Sequence, residues 1–411
     1  MKAMTTSVVI LGGGMAGACL ASLLARRRVV PASAITLIEA RLPVRPEASD
    51  AVDLRVSAIS RATQRILSAC GAWESIASGP ISAYERMVVW DEAGQAGESG
   101  SIEFDCAEVG QPNLGYIVEN RRLQWALLEQ ARLAGVQTIP ARASGISRAV
   151  DSIAVELEGG TRVASSLLVA ADGAESPART MMNIAVREAD SRQRAVVCHV
   201  RTAAAHQNTA WQRFLRTGPI ALLPLHDGRC SIVWTTTTEE AVALLAQTDE
   251  EFCLSVEVAV DGILGRVESV GERASFPLRS VHAECYVQPR FALIGDAAHA
   301  VHPLAGQGVN LGFLDCAALA EVIETALADG ADPGDLRSLR KYERWRKGEN
   351  LLMLTALDGL NGLFSNDNAL LGALRRAGLS AVNRLTPAKA LFMRRALGLA
   401  GDLPKLALTE T

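Results

Sequence analysis

Apolar residues along the chain gather into short runs that glycines and polar loops interrupt. The run Ser7 to Leu11 predicts a strand, and Ala18 to Ala25 predicts an apolar helix soon after it. A second run, Ala34 to Ile38, predicts another strand. Near the other end of the chain, Phe291 to Ile294 leads into a helix-like segment from Val309 to Leu327. Strands that feed helices in this way indicate an α/β fold.

The middle of the chain has the pattern of β-structure instead. Ile220 to Leu225 and Cys230 to Trp234 predict a hairpin, with His226-Asp-Gly228 as its turn. Helical spacing returns at Glu239 to Ala246 and at Glu250 to Val260. This part therefore predicts a β-rich lobe.

Nucleotide-like pieces stand on both sides of that lobe, so the sequence predicts a discontinuous nucleotide-binding domain with an insertion. Val163 to Ala171 predicts one of its strands, and the chain from Leu336 onward is mostly helical, with breaks near Gly359 to Gly362 and at Pro387. The predicted boundaries are residues 1–80, 114–186 and 280–345 for the nucleotide domain, 81–113 and 187–279 for the β-rich substrate domain, and 346–411 for a C-terminal helical segment.

A glycine motif lies between the first strand and the first helix. Gly12-Gly-Gly14-Met-Ala-Gly17 matches G-x-G-x-x-G, and Glu39 follows Gly17 by 22 residues, at the end of the second strand. In this fingerprint the glycines allow close approach to a pyrophosphate, and the acid binds a ribose hydroxyl. An acid at Glu39 favours FAD or NAD over NADP. A glycine-rich turn used only for packing is the alternative.

A second chemical block spans Gly295 to Gly312. Gly295-Asp296 follows an apolar run, His299, His302 and Pro303 come next, and Gly306-Gln307-Gly308 precedes the helix-like segment. An acid at a strand end can accept hydrogen bonds from sugar-like hydroxyls. A helix N-terminus offers free N–H groups and a positive dipole end to an anion.

Composition narrows the class of protein. The chain has 411 residues and a net charge of −4, so charge gives no argument for nucleic-acid binding. Its eight cysteines form no C-x-x-C pair, which fits a reducing compartment without a disulfide framework. No run of eighteen apolar residues predicts a membrane span. A cytoplasmic location is therefore expected, with peripheral contact at the inner membrane left open.

Three elements together carry a family resemblance: Gly12 to Glu39, Ala171-Asp172-Gly173 with Arg179 after it, and Gly295-Asp296. This set resembles the single-component flavin-dependent aromatic hydroxylases, which have a Rossmann-like FAD-binding domain and an inserted β-sheet substrate domain. Further segments are similar to the bacterial ubiquinone-biosynthesis hydroxylases, nearest to those acting at ring carbon 5 of the polyprenylphenol: Leu54 to Ile59, Gly115 to Asn120, His302 to Gly312, Tyr342-Glu-Arg and Ala396 to Leu399.

The resemblance implies roles for individual residues. Gly12, Gly14 and Gly17 would face the FAD pyrophosphate, and Glu39 the adenosine ribose. The remaining implied cofactor contacts are Arg55 beside the flavin, Asp172 and Gly173 in a motif for FAD and nicotinamide, Gly295 and Asp296 at the ribityl or pyrophosphate region, and Pro303 with Gly306, Gln307 and Gly308 along the isoalloxazine. Many aromatic hydroxylases carry Arg where this chain has Asn120, which puts phosphate contacts near that position in doubt.

The activity implied by the resemblance is hydroxylation of the aromatic ring of a polyprenylphenol in ubiquinone biosynthesis. NAD(P)H would act as a transient reductant and O₂ as co-substrate, via a flavin C4a-hydroperoxide. Such a species decays if water enters, so an apolar, closed site is required. The implied partners are the hydrophobic substrate and other ubiquinone-biosynthesis proteins, with a homo-oligomer left open and no nucleic acid.

Several alternatives stay open. His299 and His302 stand three residues apart, but no cluster of acid, His and Cys supports a metal site, so no metal is expected. His302 and Pro303 are the candidate catalytic residues, and a structural hydrogen bond is the other use for His302. Trp211, Phe214 and Trp234 line a substrate pocket or pack in the core. Leu351 to Leu363 contacts a membrane or packs on the nucleotide domain. The whole protein could also be a flavin hydroxylase or epoxidase of another small aromatic or isoprenoid, or a non-catalytic FAD-binding scaffold.

Overall fold

A computed structural model of the chain describes residues 7–47, 50–98, 100–300, 307–364 and 386–408. The α-helices described there, numbered along the chain, are α1 (Met15–Arg26), α2 (Arg61–Ala69), α3 (Trp73–Ala77), α4 (Asn120–Leu133), α5 (Pro177–Met181), α6 (Thr238–Ala246), α7 (Asp249–Ala259), α8 (Gln307–Ala328), α9 (Leu336–Phe364), α10 (Thr386–Ala396) and α11 (Lys405–Leu408). Short 3₁₀ turns lie at Ala32–Ala34, Cys106–Val109 and Gly295–Ala297.

The strands fall into four sheets. In chain order they are β1 (Val8–Leu11), β2 (Ile35–Ile38), β3 (Val56–Ser60), β4 (Ser82–Tyr84), β5 (Arg86–Asp91), β6 (Ser101–Asp105), β7 (Gly115–Glu119), β8 (Gln137–Ile139), β9 (Ala143–Arg148), β10 (Ile153–Leu157), β11 (Arg162–Ser165), β12 (Leu167–Ala170), β13 (Val186–Thr202), β14 (Thr209–Leu215), β15 (Gly218–Pro224), β16 (Cys230–Thr237), β17 (Val267–Val270), β18 (Ala274–Ala283), β19 (Val287–Gln288), β20 (Phe291–Leu293) and β21 (His299–Ala300).

A six-stranded sheet in the order β19-β20-β12-β1-β2-β8 carries the predicted nucleotide fingerprint. Its strands are parallel except at the β19–β20 pair. β1 and β12 are buried along their whole length, which explains their uninterrupted apolar sequences, since parallel sheets are covered on both faces. The strands predicted from Ser7 to Leu11, Ala34 to Ile38 and Phe291 to Ile294 are confirmed within a residue or two.

One predicted strand proves to be two. Val163 to Ala171 reads as a single apolar run, yet β11 pairs with β10 in a small antiparallel sheet while β12 joins the six-stranded sheet. The chain changes sheet at Ser166, whose hydroxyl donates to the Ser7 carbonyl oxygen at 2.7 Å. A hydroxyl-to-backbone bond of this kind cannot be read from hydrophobicity.

The largest sheet has nine strands. Eight follow the order β21-β18-β13-β16-β15-β14-β5-β6, and β17 pairs with β13 beside this row. The predicted hairpin from Ile220 to Trp234 is confirmed as β15 and β16. Helices α6 and α7 cover one face, which we call the outer face, and form a core with it. The opposite side is the inner face. A fourth, three-stranded sheet has the order β3-β7-β4.

One short stretch of chain connects the two large sheets. β20 ends in the turn Gly295–Ala297, and β21 follows at once and pairs with β18 at the edge of the nine-stranded sheet. Strands of the nine-stranded sheet come from residues 86–105, 186–283 and 299–300. The domain boundaries stated above stay a prediction.

The C-terminal helices differ from expectation at one place. α9 runs without a break through Gly359 to Gly362, so the predicted interruption there is wrong. A glycine in a helix interior costs only about 1 kcal/mol relative to alanine, which a 29-residue helix tolerates. Pro387 lies in the first turn of α10, where proline is accommodated. None of the described helices combines the length and the apolar character that crossing a bilayer requires.

Candidate cofactor site at the carboxyl edge of the parallel sheet

The glycine motif forms a tight turn between β1 and α1. Gly12 has φ +99° and donates its N–H to the Ile38 carbonyl oxygen at 2.8 Å. A Cβ on Gly17 would lie 1.9 Å from the Gly12 oxygen, so the first turn of α1 packs directly on the loop. A Cβ on Gly14, the N-cap of α1, would meet no protein atom within 4 Å. Protein packing thus explains glycine at positions 12 and 17 but not at Gly14, where close approach by an external group does.

Glu39 stands at the end of β2 beside this turn. Its carboxylate accepts the Gly13 N–H at 2.6 Å and the Arg41 N–H at 2.8 Å. From α4, the Gln124 side chain donates to the Gly13 carbonyl oxygen at 2.8 Å. The acid predicted from its spacing is therefore placed at the glycine turn, and Gln124 is a further clamp on it that the sequence did not reveal.

Asp172 and Gly173 follow β12, the strand next to β1. The Asp172 carboxylate accepts the Ser176 hydroxyl at 2.5 Å and the Ala178 N–H at 2.9 Å. Burial raises the pKa of this carboxyl, against the lowering effect of those two donors. The side chain thus shapes its own loop. Gly173 has φ +89°, a backbone conformation that itself favours glycine, and a Cβ there would meet no protein atom within 4 Å.

Arg179 ties the second loop to the third. Its guanidinium is buried and donates to the carbonyl oxygens of Ala174 and Ala297, both at 2.8 Å. Ala297 belongs to the turn that carries Asp296. Arg179 therefore connects the Asp172 loop to the Asp296 loop through hydrogen bonds.

Gly295 and Asp296 form the third loop. Gly295 has φ +58°, and a Cβ on it would lie 3.2 Å from the Ala16 Cβ on α1. The early glycine turn and the late aspartate loop, almost three hundred residues apart in sequence, therefore meet, as the flavin hypothesis requires. The loop also passes α8, where Gly312 faces Gly295.

The Asp296 side chain is exposed to solvent, although the protein around it is close enough to shift its pKa. Burial raises its pKa, while the nearby His299 and Arg55 lower it. A carboxylate left accessible at this edge of the sheet is suited to hydrogen-bonding the hydroxyls of a bound ligand.

Arg55 lies on a loop that bridges the two large sheets. Its guanidinium carbon stands 5.7 Å from the centre of the Phe276 ring, on β18. The neighbouring Leu54 packs against residues of β13 and β18, and the Asp53 carbonyl oxygen contacts His199 Nε2 at 3.0 Å. Arg55 is thus placed between the cofactor loop and the inner face.

Glu119 fixes the Arg55 loop through hydrogen bonds and ion pairs. The buried carboxylate accepts the Asp53 N–H at 2.8 Å and the Arg121 and Arg122 guanidiniums at 3.0 and 2.5 Å. Burial alone would raise the pKa of Glu119, but these donors lower it. The next residue, Asn120, donates its N–H to the Arg55 carbonyl oxygen at 2.9 Å. Asn120, where many aromatic hydroxylases have Arg, therefore supports the Arg55 loop.

The three candidate aromatic residues divide between the two faces of the nine-stranded sheet. Trp234 and Trp211 pack in the core under α6 and α7, on the outer face. Phe214 lies on the inner face, in an apolar cluster with Val89 and Ile102. The packing alternative thus holds for both tryptophans, and only Phe214 stays a candidate pocket residue.

A group that the sequence analysis missed surrounds Asp315, on α8. This carboxylate is fully buried and contacts Gly295, His299, Arg346 and Asn350. Asp315 is one of three acids inside the apolar segment Val309 to Leu327, so the sequence alone did not single it out. Its partners cannot be recognised without the fold.

Several predicted site residues fall outside this account. His302, Pro303 and Gly306 lie outside the described residues, so their roles stay predictions. Gln307 is the first residue of α8, and Gly308 lies half-buried in its first turn. The helix therefore begins two residues before the predicted start at Val309.

Known proteins are similar to this chain in both sequence and fold. A family model described as an FAD binding domain matches residues 5–351. The chain is 38% identical over 393 residues to the ubiquinone hydroxylase UbiL of Rhodospirillum rubrum, covering 95% of this chain and 89% of that protein. It is 35% identical to the 3-demethoxyubiquinol 3-hydroxylase of Escherichia coli, covering 96% of this chain and 99% of that protein.

The fold resembles that of solved structures at lower identity. The p-nitrophenol 4-monooxygenase of Pseudomonas putida DLL-E4 superposes with a TM-score of 0.74 at 17% identity, covering 95% of this chain and 96% of that one. This likeness confirms the predicted α/β architecture of the aromatic-hydroxylase type.

Proposed function

We propose that this chain, which belongs to the FAD binding domain family and within it to the ubiquinone-biosynthesis hydroxylases, hydroxylates the aromatic ring of a polyprenylated phenol. It is an FAD-dependent monooxygenase that uses NAD(P)H and O₂. The observation that carries the proposal is the meeting of the Gly12, Asp172 and Gly295 loops at one edge of the parallel sheet. Ligands of such sheets bind at this edge.

The residues at this edge fit FAD. The open backbone at Gly14 and the N-terminus of α1 suit a pyrophosphate, because helix N–H groups and the helix dipole favour an anion there. Glu39 lies where it would bind the adenosine ribose, and Asp296 where it would bind further hydroxyls. Bound FAD supplies electron transfer from NAD(P)H and the activation of O₂.

The protein's own contribution to catalysis is orientation and exclusion of water. Arg55 places a positive charge between the cofactor loop and the inner face of the nine-stranded sheet, where it would favour an electron-rich or ionised ring oxygen. The Glu119 and His199 contacts keep the Arg55 loop in place. A fixed cation needs no reorganisation during the reaction, so its stabilisation is available at once.

The inner face offers an apolar lining for the isoprenoid tail. Its apolar cluster comprises Val89, Ile102 and Phe214, with Met87, Phe104 and Met353 packed against it. Met353 comes from α9, so this helix covers that side of the cluster. We assign the tail to this cluster because apolar side chains recognise an isoprenoid and keep water from the ring.

Quinone profiling of cells that lack the chain tests the proposal directly. We expect loss of ubiquinone and accumulation of a prenylated intermediate that lacks one ring hydroxyl, identified by mass spectrometry. Re-expression of the wild-type chain should restore the quinone, and the Asp296→Ala variant should not. Normal ubiquinone without such an intermediate would overturn the substrate assignment.

The ring position follows from the same intermediate. We propose carbon 5, on the resemblance of the segment that includes His302, and the position of the missing hydroxyl decides it. A second experiment tests the alternative that the substrate is another small aromatic or isoprenoid. Purified protein is given soluble phenols, and NAD(P)H consumption coupled to a hydroxylated or epoxidised product would favour that alternative. Absence of any NAD(P)H-driven flavin bleaching would favour a scaffold.

We also propose peripheral contact with the inner membrane, where a polyprenylated substrate partitions. Leu351 and Leu352 on α9 are each about half exposed, close to the inner-face cluster through Met353. Co-sedimentation with lipid vesicles should fall when both leucines are changed to serine. The matched control is serine at Val242 and Leu254, which are exposed on α6 and α7. Equal loss in both variants would contradict the assignment.

A further inference from the structure

A fully buried carboxylate contacts residues on both sides of Asp296, the backbone of Gly295 and the side chain of His299. Asp315 Oδ2 accepts the Gly295 N–H at 3.1 Å and lies 2.5 Å from His299 Nε2. Gly295 directly precedes Asp296, and His299 follows it by three residues. The turn that presents Asp296 is therefore fixed at its two ends by one oxygen atom.

The other oxygen of Asp315 connects the turn to α9. Asp315 Oδ1 accepts Arg346 Nε at 2.9 Å and Asn350 Nδ2 at 3.1 Å, and Arg346 donates in addition to Asn350. All three side chains are at most 1% exposed. Each lone-pair direction of the carboxylate therefore has a donor.

The packing of α8 on α9 does not by itself require the buried Asp315–Arg346 ion pair. A buried ion pair gives up a large solvation energy, and apolar residues of similar volume often hold two helices together equally well. What apolar residues cannot provide is four directional hydrogen bonds. The use of the Asp315 carboxylate is therefore the geometry that those bonds impose on the Gly295 turn.

His299 is held from two further sides. Its ring stacks on Tyr286 at 5.8 Å between ring centres, and its backbone pairs with β18 opposite His282. Tyr286 is itself anchored, since its N–H donates to Glu343 Oε1 at 2.7 Å. The turn is thus held by α8, α9 and the nine-stranded sheet together.

We propose that Asp315 is a positioning residue, which acts with Arg346 and His299 to hold the Gly295–His299 turn in the arrangement that presents Asp296 to bound FAD. The proposal rests on the cofactor of the family and is independent of the substrate proposed above. Its tests therefore measure FAD affinity and do not use the substrate.

The first test is titration of the full-length chain, stripped of flavin, with FAD, followed by quenching of flavin fluorescence. Asp315→Asn keeps the shape but turns one acceptor into a donor, and we expect FAD affinity to fall about tenfold or more. The matched control is Asp332→Asn, which weakens another Arg–Asp pair (Arg290 with Asp332, 2.5 Å) at the opposite edge of the same sheet. The control should change the FAD affinity less than about threefold, even though it lowers the melting temperature. Equal losses of affinity would overturn the proposal.

A double-mutant cycle shows whether Asp315 acts through Asp296. In an Asp296→Ala background, Asp315→Asn should weaken FAD binding by less than about threefold further. An undiminished tenfold effect would mean that Asp315 acts elsewhere and would refute the mechanism.

His299 provides a second route if Asp315→Asn fails to fold. His299→Gln retains a donor toward Asp315 Oδ2, whereas His299→Ala removes it. We expect the glutamine variant to bind FAD within about threefold of wild type and the alanine variant to bind it about tenfold more weakly. If glutamine does no better than alanine, the hydrogen bond to Asp315 does not position the turn.

Discussion

The parallel sheet has an amino edge, where its strands begin, and a carboxyl edge, where they end. The two edges contain similar groups but serve different purposes. At the amino edge, Arg290 pairs with Asp332, and a Cβ on Gly334 would lie 2.4 Å from the Ser166 carbonyl oxygen. At the carboxyl edge, Arg346 pairs with Asp315, yet a Cβ on Gly14, where φ is −66°, would meet no protein atom within 4 Å.

Both edges thus have an Arg–Asp pair and glycines, but the amino-edge pair is partly exposed, and the space beside Gly334 is filled by the protein itself. A glycine that packing demands and a glycine that packing does not demand look the same in a sequence. Their surroundings and their φ angles tell them apart, and a glycine that neither packing nor a positive φ demands, such as Gly14, is explained by a ligand that approaches backbone.

We expect the largest difference in FAD binding between the two edges when alanine replaces a crowded glycine at each of them. Gly17→Ala places a Cβ 1.9 Å from the Gly12 oxygen, and Gly334→Ala places one 2.4 Å from the Ser166 oxygen. Overpacking of this kind should lower the free energy of unfolding by about 3 kcal/mol in each variant. Only Gly17→Ala should also abolish FAD binding. Urea unfolding and flavin content after purification measure both, and a flavin-free Gly334→Ala protein would contradict the comparison.

Next in size is the removal of the exposed carboxyl of Asp296. Asp296→Ala should yield largely colourless protein, because the open carboxylate is the group assigned to the cofactor hydroxyls. Absorbance of bound flavin near that of wild type after purification would refute the assignment. Asp332→Asn, at the other edge, should remain yellow.

Acid should weaken the carboxyl edge through Asp315. Burial alone would raise its pKa, but His299 and Arg346 lower it to about 2, below the value in an unfolded chain. A depressed pKa adds stability that is present above about pH 4 and is lost as the pH falls toward 2, about 2 kcal/mol in all. Urea midpoints between pH 6 and pH 3 should therefore fall more steeply in wild type than in Asp315→Asn. Parallel slopes would rule out this contribution.

The smallest expected effect is the most selective. Gly14→Ala adds a Cβ that touches no protein atom, at φ −66°, so the free energy of unfolding should change by less than about 1 kcal/mol. FAD affinity should nevertheless fall about tenfold, because the Cβ occupies the space where the pyrophosphate approaches. Unchanged affinity would show that the glycine serves the turn alone.

The sequence predicted the parallel sheet and its loops because that signal is local. β1, β2 and β20 are continuous apolar runs that end at a glycine or an acid, and the spacing from Gly17 to Glu39 reflects one strand–helix–strand unit. The switch between β11 and β12 was missed because a run of apolar residues does not record which sheet each part joins.

Contacts across long sequence separations could not be predicted. Asp315 meets Arg346 only because α8 packs on α9, and Gln124 reaches the glycine turn only through the placement of α4. The aromatic residues show the same limit, since alternation puts Trp211 and Phe214 on opposite faces without saying which face the helices cover.

The pairing of β21 with β18 has one more consequence. The residues just after Asp296 form an edge strand of the sheet whose inner face is assigned to the substrate. A ligand that shifted β18 would act on the turn at Asp296 through these backbone bonds. By thermodynamic reciprocity, a cofactor that tightened that turn would change the affinity for such a ligand by the same factor. We therefore expect the two binding events to be coupled through a strand of two residues.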